Sequence, residues 1–339
     1  MLAVEEVSTA LGRAATHDMV VVEKSTVPVQ TADRIRMVLA RTSAHAFHVA
    51  SNPEFLREGR AVEDSLHPDR ILVGADNAWA HEIMRTLYEP MITAGARSFA
   101  TDVPTAELAK HACNAFLALK ISFANGLARV CEASGADVVA VADIMGSDPR
   151  IGRDFLNAGL GWGGSCFPKD LAAFRAQSMR LGYRFGLLDE VVKINEEALE
   201  SVFGKVREAL WNLEGKRVVL LGLAFKPGTD DVRESPALRL AQMLLHAGAT
   251  VVGVDPQACR AAAAEIEGLE VIDDAYAAAN GADCLVVCTE WPEFADLDLV
   301  RLKGLLTVPV LVDGRNLFEP GAARDAGFSY FPTGRPALP

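Results

Sequence analysis

Apolar strands that alternate with helices constrain the fold of this 339-residue chain more than any other feature. In the C-terminal part, buried strands are predicted at residues 216–222, 249–255, 282–288 and 308–312. Helices of about 10 to 15 residues separate them, and strands that alternate with such helices form parallel sheets. Residues 213–339 are therefore predicted to be a Rossmann-like α/β domain. Its strand-end loops contain Lys226, Arg233 and Arg315, cations suited to a phosphate or a carboxylate.

The same alternation opens the chain. A helical pattern comes first, and strands are predicted at residues 19–23, 46–50 and 70–74. No glycine-rich strand–turn–helix unit precedes the first strand, so the sequence opens inside an α/β unit. Thr26 and Glu54 lie at carboxyl ends of strands, where such sheets bind ligands. Taken singly, each is more simply explained as a helix cap or a polar loop residue.

The middle of the chain, residues 99–212, is predicted to be helical. Its main feature is a helix from Pro104 to about Ala133 that is apolar on more than one face. Such a helix is buried on several sides, as in a spine between two lobes or in a dimer core. Lys110 and Asn114 are four residues apart and project from one face of it. The alternative for Lys110 is a lysine that merely extends its charged end to solvent.

A glycine-rich loop follows this helix. Residues 159–164 contain four glycines, and Cys166, Lys169 and Asp170 come directly after them. The loop formally satisfies G-x-G-x-x-G, but a dinucleotide fingerprint follows an apolar strand and opens a helix, whereas Arg153-Asp154 precede this one. A cysteine beside a lysine and an aspartate predicts a nucleophile with electrostatic helpers. A buried structural thiol in a tight loop is the alternative.

Composition excludes several classes of function. The net charge of -12 argues against a nucleic-acid-binding or anionic-membrane-binding surface. The six cysteines include no C-x-x-C pair and no cysteine–histidine spacing typical of zinc, so we expect reduced thiols, no metal and a cytoplasmic location. No apolar run reaches about 18 residues and no signal peptide is recognisable, so we expect no membrane span.

Six motifs recur in order over nearly the whole chain. They are Lys24–Val29, Asn52–Gly59, Glu107–Lys110 with Asn114–Phe116, Gly163–Asp170, Phe225–Lys226 with Arg233–Ser235, and Asp313–Asn316. Together they resemble the motifs of the UDP-glucose/GDP-mannose dehydrogenases, which are NAD-dependent four-electron oxidoreductases of nucleotide sugars. Within that family, Phe155–Gly159 followed by Gly-Gly-Ser-Cys-Phe-Pro-Lys-Asp is similar to the UDP-glucose 6-dehydrogenase branch. GDP-mannose enzymes typically have leucine after the cysteine, and UDP-N-acetylmannosamine enzymes a Gly-His-Cys pattern.

The resemblance implies a role for each matching residue. Cys166 would hold the aldehyde covalently, Lys110 and Asn114 would stabilise the oxyanion, and Thr26, Glu54 and Asp170 would position a water and transfer protons. Substrate contacts are implied for Glu58, Arg150, Phe155, Leu156, Gly163, Lys226 and Arg315. Cofactor contacts with NAD are implied for Thr26, Glu58, Lys169 and Arg233. Arg150 would enter the site of a neighbouring subunit, which implies a homodimer built on the long helix.

Two departures from the family pattern stand out. The G-x-G-x-x-G strand–turn–helix that opens the family's NAD-binding domain is not found in residues 1–98, a difference on the order of 100 residues, or about three βα units. The resemblance therefore implies that residues 1–98 are the second half of a Rossmann-like NAD-binding domain. We therefore expect these 339 residues alone to bind NAD weakly and to oxidise UDP-glucose negligibly. The alternative function is a nucleotide-sugar-binding fragment without redox activity. The lesser departure is Gln30, where the family usually has glycine.

Overall fold

The computed structural model describes residues 2–336, and the chain divides into two compact units. Unit 1 contains the described residues up to Ala115 together with Asp170–Arg184. Unit 2 contains Phe116–Lys169 and the described residues from Phe185 onward. The predicted three-segment division at residues 98 and 212 remains a prediction.

Unit 1 contains a four-stranded sheet. Its strands, in spatial order, are β1 (Met19–Glu23), β2 (Phe47–Ser51), β3 (Arg70–Gly74) and β4 (Arg97–Thr101). The three strands predicted in this region are confirmed, and β4 was missed because Arg97-Ser98 interrupts its apolar pattern. The β1–β2 and β3–β4 pairs are parallel, whereas β2 and β3 meet in one antiparallel bridge between Ser51 and Gly74. Because β1 and β2 are parallel, their carboxyl ends lie at the same edge of the sheet.

Five helices accompany this sheet in unit 1. They are α1 (Leu2–Ala14), α2 (Thr31–Thr42), α3 (Ala61–Leu66), α4 (Ala78–Thr93) and the first part of α5 (Val103–Ser134). Of these, α2 and α4 pack against its strands. The 32-residue α5 confirms the predicted long helix. Asp102 caps its start by accepting a hydrogen bond from the Thr105 amide (2.8 Å). It ends at Gly135, whose φ of 78° places it in the left-handed region that terminates helices.

The helical middle of the chain continues with three elements. These are α6 (Val138–Gly146), α7 (Phe167–Arg180) and α8 (Gly186–Leu210). The glycine loop lies between α6 and α7 and follows no strand. This confirms that the loop is not a dinucleotide fingerprint.

Unit 2 contains a six-stranded parallel sheet. Its strands are β5 (Arg217–Leu221), β6 (Thr250–Val254), β7 (Glu270–Val271), β8 (Cys284–Val287), β9 (Val310–Asp313) and β10 (Ser329–Pro332). Its helices are α9 (Pro236–His246), α10 (Cys259–Glu265), α11 (Ala275–Ala279), α12 (Pro292–Ala295), α13 (Leu299–Leu305) and α14 (Pro320–Asp325). The four predicted strands are confirmed, while the short β7 and the terminal β10 were not predicted.

The strand order in unit 2 is β10-β9-β8-β5-β6-β7. The chain leaves β5 toward β6 on one side and later returns to β8 on the other, so the order reverses between β5 and β8. Ligands of doubly wound sheets bind at the carboxyl ends of strands beside such a reversal. Residues 218–221 of β5 are fully buried, which agrees with a central strand covered on both faces.

Candidate functional site

Two of the predicted site residues in unit 1 form an ion pair. The Lys110 Nζ atom on α5 lies 3.2 Å from Glu54 Oε1, in the loop after β2. The Lys110 side chain is only 5% exposed, so its charge depends on this carboxylate for compensation. The Phe55 ring adds a cation–π contact, with its centroid 5.2 Å from Nζ. Lys110 is thus a held, buried cation, and the alternative of a solvent-directed lysine is wrong.

One turn along α5, Asn114 makes the second pairing in unit 1. Its side-chain amide donates a hydrogen bond of 2.6 Å to Asp170 Oδ2, and both residues are buried. Lys110 and Asn114 therefore each contact a carboxylate, Glu54 for the first and Asp170 for the second. A buried cation and a buried amide donor on one helix face are groups that can stabilise a developing oxyanion.

Thr26 lies in a loop that α5 anchors to the rest of unit 1. The Glu107 carboxylate accepts hydrogen bonds from the amides of Gln30 (2.7 Å) and Ala32 (2.9 Å), at the start of α2. One turn later, His111 Nε2 lies 2.9 Å from the Val27 carbonyl oxygen. These bonds position the Thr26 loop, and neither Glu107 nor His111 was predicted to have this role. The available signal was their position on the same helix, Glu107 one turn before Lys110 and His111 directly after it.

Gln30 adopts the conformation that explains the glycine usual at this position. Its φ is 76° and its ψ is 11°, in the left-handed region that only glycine enters without strain. Gln30 therefore places a side chain at a position whose backbone conformation favours glycine.

Glu23 is a buried carboxyl that sequence analysis missed. It ends β1, is paired in register with Ser51 of β2, and is 6% exposed. Among the described residues, neither of its carboxylate oxygens has a hydrogen-bond partner. Burial, with a further contribution from the charge of Glu107, raises the pKa of Glu23 to about 7. An acidic residue ending an apolar strand was the only signal in the sequence.

In unit 2, side chains from two helices hold the glycine loop. The Asn125 Oδ1 atom on α5 accepts the Gly159 amide (2.8 Å), and Asn195 Oδ1 on α8 accepts the Trp162 amide (2.7 Å). Gly161, with φ of 113°, passes so close to Asn195 that a Cβ there would lie 2.6 Å from Oδ1. The glycines are required here by close approach and by backbone conformation.

The end of this loop presents the predicted nucleophile. Cys166 is exposed and immediately precedes the 14-residue α7, whose N-terminus favours negative charge nearby. The other five cysteines are buried or half-buried. Burial raises the pKa of Cys288 to about 12 and that of Cys284 further still, which suits inert thiols. The alternative of a buried structural thiol at Cys166 is wrong, whereas Cys284 and Cys288 are buried thiols.

Cations at the strand ends of unit 2 lie beside the glycine loop. Arg315 follows β9, donates to the Cys288 carbonyl oxygen (2.8 Å), and approaches Glu290 Oε2 at 3.2 Å. A Cβ added to Gly159 would lie 2.9 Å from its Nη1 atom. The Gly164 amide donates to the Arg233 carbonyl oxygen (3.1 Å), so a second strand-end loop contacts the glycine loop.

The remaining predicted residues of unit 2 differ in exposure. Arg150 is 87% exposed and pairs with Asp148 (2.6 Å). Phe155 is 41% exposed and adopts a φ of 65°, which is strained for an aromatic residue. Leu156 is buried, so a ligand would meet its backbone rather than its side chain. The Lys226 Nζ atom lies 5.5 Å from the centroid of the adjacent Phe225 ring.

Two further properties bear on function. No helix within residues 2–336 combines the length and apolarity needed to span a bilayer. Over the same residues, no cluster of three or more histidine, cysteine, aspartate or glutamate side chains is arranged to hold a metal ion.

Three family models match successive parts of the chain. The NAD binding domain of the UDP-glucose/GDP-mannose dehydrogenase family matches residues 1–92, the central domain matches residues 104–197, and the UDP binding domain matches residues 219–320. The match to the NAD binding domain favours an oxidoreductase over a fragment that only binds a nucleotide sugar.

Relatives and solved structures agree with these matches. A UDP-glucose 6-dehydrogenase of Bacillus subtilis, TuaD, is 42% identical over 338 residues, covering 99% of this chain and 73% of the relative. One from Rhizobium meliloti is 44% identical over 94% of this chain and 74% of its own. The structure of a UDP-glucose dehydrogenase from Pyrobaculum islandicum superposes with a TM-score of 0.89 at 39% identity, covering 97% of this chain and 74% of that one.

Proposed function

Because the chain belongs to the UDP-glucose/GDP-mannose dehydrogenase family, we propose that it catalyses the NAD-dependent oxidation of UDP-glucose to UDP-glucuronate. The observation that carries the chemistry is Cys166, the one exposed thiol of six, at the end of a held glycine loop. The sugar specificity rests on the relatives, which are UDP-glucose 6-dehydrogenases.

The reaction requires a covalent hold on the substrate. Oxidation of the primary alcohol yields an aldehyde, and the Cys166 thiolate then forms a carbon–sulfur bond to it, moving the carbonyl electron pair onto oxygen. Loss of a hydride from the resulting thiohemiacetal leaves a thioester. Water breaks the carbon–sulfur bond, releasing the acid and the thiol. Bound NAD supplies the acceptor for both hydrides, so each acid formed yields two NADH.

The donor groups of the chain fit NAD. Thr26 and Glu58 follow β1 and β2, at the sheet edge where dinucleotides bind, and a hydroxyl and a carboxylate can bond to ribose and carboxamide groups. In unit 2 the Arg233 side chain is 66% exposed, which leaves its guanidinium accessible to a pyrophosphate. We propose Thr26, Glu58, Lys169 and Arg233 as the cofactor contacts.

Lys110 and Asn114 are proposed to stabilise the oxygen that becomes negatively charged when the thiolate adds. Both are buried donors, and such donors act more strongly away from water. Glu54 and Asp170, their respective partners, together with Thr26, are proposed to position the water and to accept its proton.

UDP-glucose is proposed to contact mainly unit 2. Lys226 and Arg315 supply positive charge for the diphosphate, and Phe155, Leu156 and Gly163 supply backbone and apolar contacts along the glycine loop. Glu58, in unit 1, is proposed as a further substrate contact. The strained φ of Phe155 supports this proposal, since strain of this kind persists where a ligand-binding conformation is imposed.

We also propose a homodimer that works in the cytoplasm. On α5, Phe116, Phe123 and Val130 are 60%, 51% and 62% exposed and recur every seven residues, so they form one apolar stripe. A second copy of the stripe would bury it and bring Arg150 to a neighbouring site.

Sedimentation should give a dimer for the parent and a monomer for Phe123→Asp. A dimer in both would contradict this interface.

The absence of disulfides among the six cysteines supports the proposed cytoplasmic location, because the cytoplasm is a reducing compartment.

The test is stoichiometric turnover by the purified protein. The departure from the family pattern in residues 1–98 predicted negligible turnover, whereas the match of the NAD binding domain to residues 1–92 leads us to expect activity. With NAD and UDP-glucose we therefore expect two NADH per UDP-glucuronate, and no comparable rate with GDP-mannose or UDP-N-acetylmannosamine. Cys166→Ala should reduce net acid formation by at least about 10³-fold. The matched thiol control Cys259→Ala, half-buried in unit 2, should retain the parent rate. Equal acid formation by Cys166→Ala would overturn the covalent mechanism, and a faster rate with another nucleotide sugar would overturn the substrate.

A further inference from the structure

Trp162 lies at the centre of the glycine loop, and each of its polar groups is bonded to a side chain from another element. Its amide donates to Asn195 Oδ1 (2.7 Å), its carbonyl oxygen accepts from Asn195 Nδ2 (3.1 Å), and its indole Nε1 donates to Ser122 Oγ (3.0 Å). The residue is only 8% exposed. Its position is therefore set by helices α5 and α8 and not by the loop itself.

The two partners of Trp162 are themselves held. Ser122 is completely buried on α5 and donates its hydroxyl hydrogen to the Val191 carbonyl oxygen of α8 (2.8 Å). Asn195 is 5% exposed, and its side-chain amide both donates to and accepts from the backbone of Trp162. This pattern resembles the paired hydrogen bonds between two strands of a sheet. All of these groups are neutral and buried, so the arrangement is costly to break.

Trp162 connects this arrangement to the nucleophile. Its ring lies edge-on to the Phe167 ring, with centroids 6.3 Å apart and planes at 88°. Phe167 follows Cys166 directly and begins α7. A shift of Trp162 would therefore alter its edge-on contact with Phe167, the residue next to Cys166.

We propose that Trp162, fixed by Asn195 and Ser122, is a positioning residue that sets the location of the Cys166 sulfur. None of the three was among the predicted site residues, and none needs to touch the substrate to act. The catalytic part of this inference rests on the proposed function. A displacement of a reacting group by about 1 Å can lower a rate by about 10²-fold. Loss of a hydrogen bond distant from the substrate can therefore lower kcat measurably.

The experiment compares four variants with the parent: Asn195→Ala, Ser122→Ala, Trp162→Phe and the double variant of the last two. We expect Asn195→Ala to lower kcat by about 10- to 100-fold with KM for UDP-glucose changed less than about 3-fold. Ser122→Ala and Trp162→Phe both remove the Trp162–Ser122 bond, so the loss of kcat in the double variant should be smaller than the product of the two separate losses. Asn280→Ala, an exposed asparagine of unit 2, is the matched control and should match the parent.

A second readout needs no substrate. The rate at which iodoacetamide alkylates Cys166, followed by mass spectrometry, should change at least about 3-fold in Asn195→Ala and Trp162→Phe and stay at the parent value in Asn280→Ala. If the parent fails to oxidise UDP-glucose, the proposed function fails while alkylation still tests the positioning. Should Asn195→Ala not fold, Ser122→Ala and Trp162→Phe decide the matter. Folded variants with lower thermal stability but unchanged kcat and alkylation would overturn the proposal.

Discussion

The two loops that carry the candidate chemistry are anchored by different kinds of group. In unit 1, the Thr26 loop is held by Glu107 and His111, with the buried carboxyl of Glu23 three residues before Thr26. In unit 2, the glycine loop is held by the neutral side chains of Asn125, Asn195 and Ser122. The first loop therefore lies beside two carboxyls, Glu23 and Glu107, whose pKa is raised by burial, whereas the second is held by side chains that carry no charge.

This difference predicts different responses to pH and to added volume. Proton binding alters the charge of the groups beneath the Thr26 loop, so the stability of that region depends on pH. The glycine loop depends on amide geometry and close backbone contact, which proton concentration leaves unchanged, whereas an added methyl group has no space. Three substitutions test the contrast.

The largest effect is expected from Gly163→Ala in the glycine loop. A Cβ at this position would overlap the Glu234 carbonyl oxygen and crowd Pro236, and backbone atoms cannot rotate away. We expect a loss of roughly 3 kcal/mol in the free energy of unfolding, equal at pH 5 and pH 8. Urea denaturation at both pH values measures it.

Gly204→Ala provides the matched control for this substitution. Gly204 lies within α8 with no atom within 4 Å of an added Cβ, so alanine should stabilise the protein by up to about 1 kcal/mol. Equal stabilities for Gly163→Ala and the parent would show that the loop is not held by backbone contact.

The second prediction concerns Glu23 and its pH dependence. Its pKa in the folded protein, about 7, lies above the ordinary 4.5. Between these values the folded state keeps a proton that the unfolded state loses, so stability falls as pH rises from about 4.5 to 7 and then levels off. Glu23→Gln removes this loss. It should be more stable than the parent by about 2 kcal/mol at pH 8, with the advantage shrinking toward pH 4.5.

Urea denaturation from pH 4.5 to 8 compares the variant with the parent. Glu63→Gln, exposed on α3, is the control and should keep the parent's pH profile. Because the charge of Glu107 contributes to the raised pKa, Glu107→Gln should also flatten the profile in part. A constant difference between Glu23→Gln and the parent at every pH would exclude Glu23 as the titrating group.

The smallest effect is expected from Gln30→Gly at the start of α2. Glycine relieves the left-handed strain at φ 76° but adds freedom to the unfolded chain, so the net gain should be at most about 1 kcal/mol. Thermal unfolding should register a slightly higher midpoint. Gln257→Gly, at an exposed turn position without positive φ, should instead lower it. A lower midpoint for Gln30→Gly would mean that the Gln30 side chain stabilises the folded state by more than its backbone strain destabilises it.

The sequence alone determined the elements with strong local patterns. The strands around residues 19–23 and 217–221, the long helix α5 and the requirement for glycine at residues 159–164 all follow from periodicity and from backbone freedom. Motif order identified the family and pointed to Cys166, whose exposure among buried thiols the structure then added.

Only the tertiary structure decided which polar groups meet. The bond from Gln30 to Glu107 joins residues 77 apart, and the bond from Trp162 to Asn195 joins residues 33 apart. No local pattern encodes such pairings, because a glutamate or an asparagine on a helix has the same propensity whether it faces water or a loop. The raised pKa of Glu23 likewise follows from burial and from its neighbours, which exist only once the chain has folded.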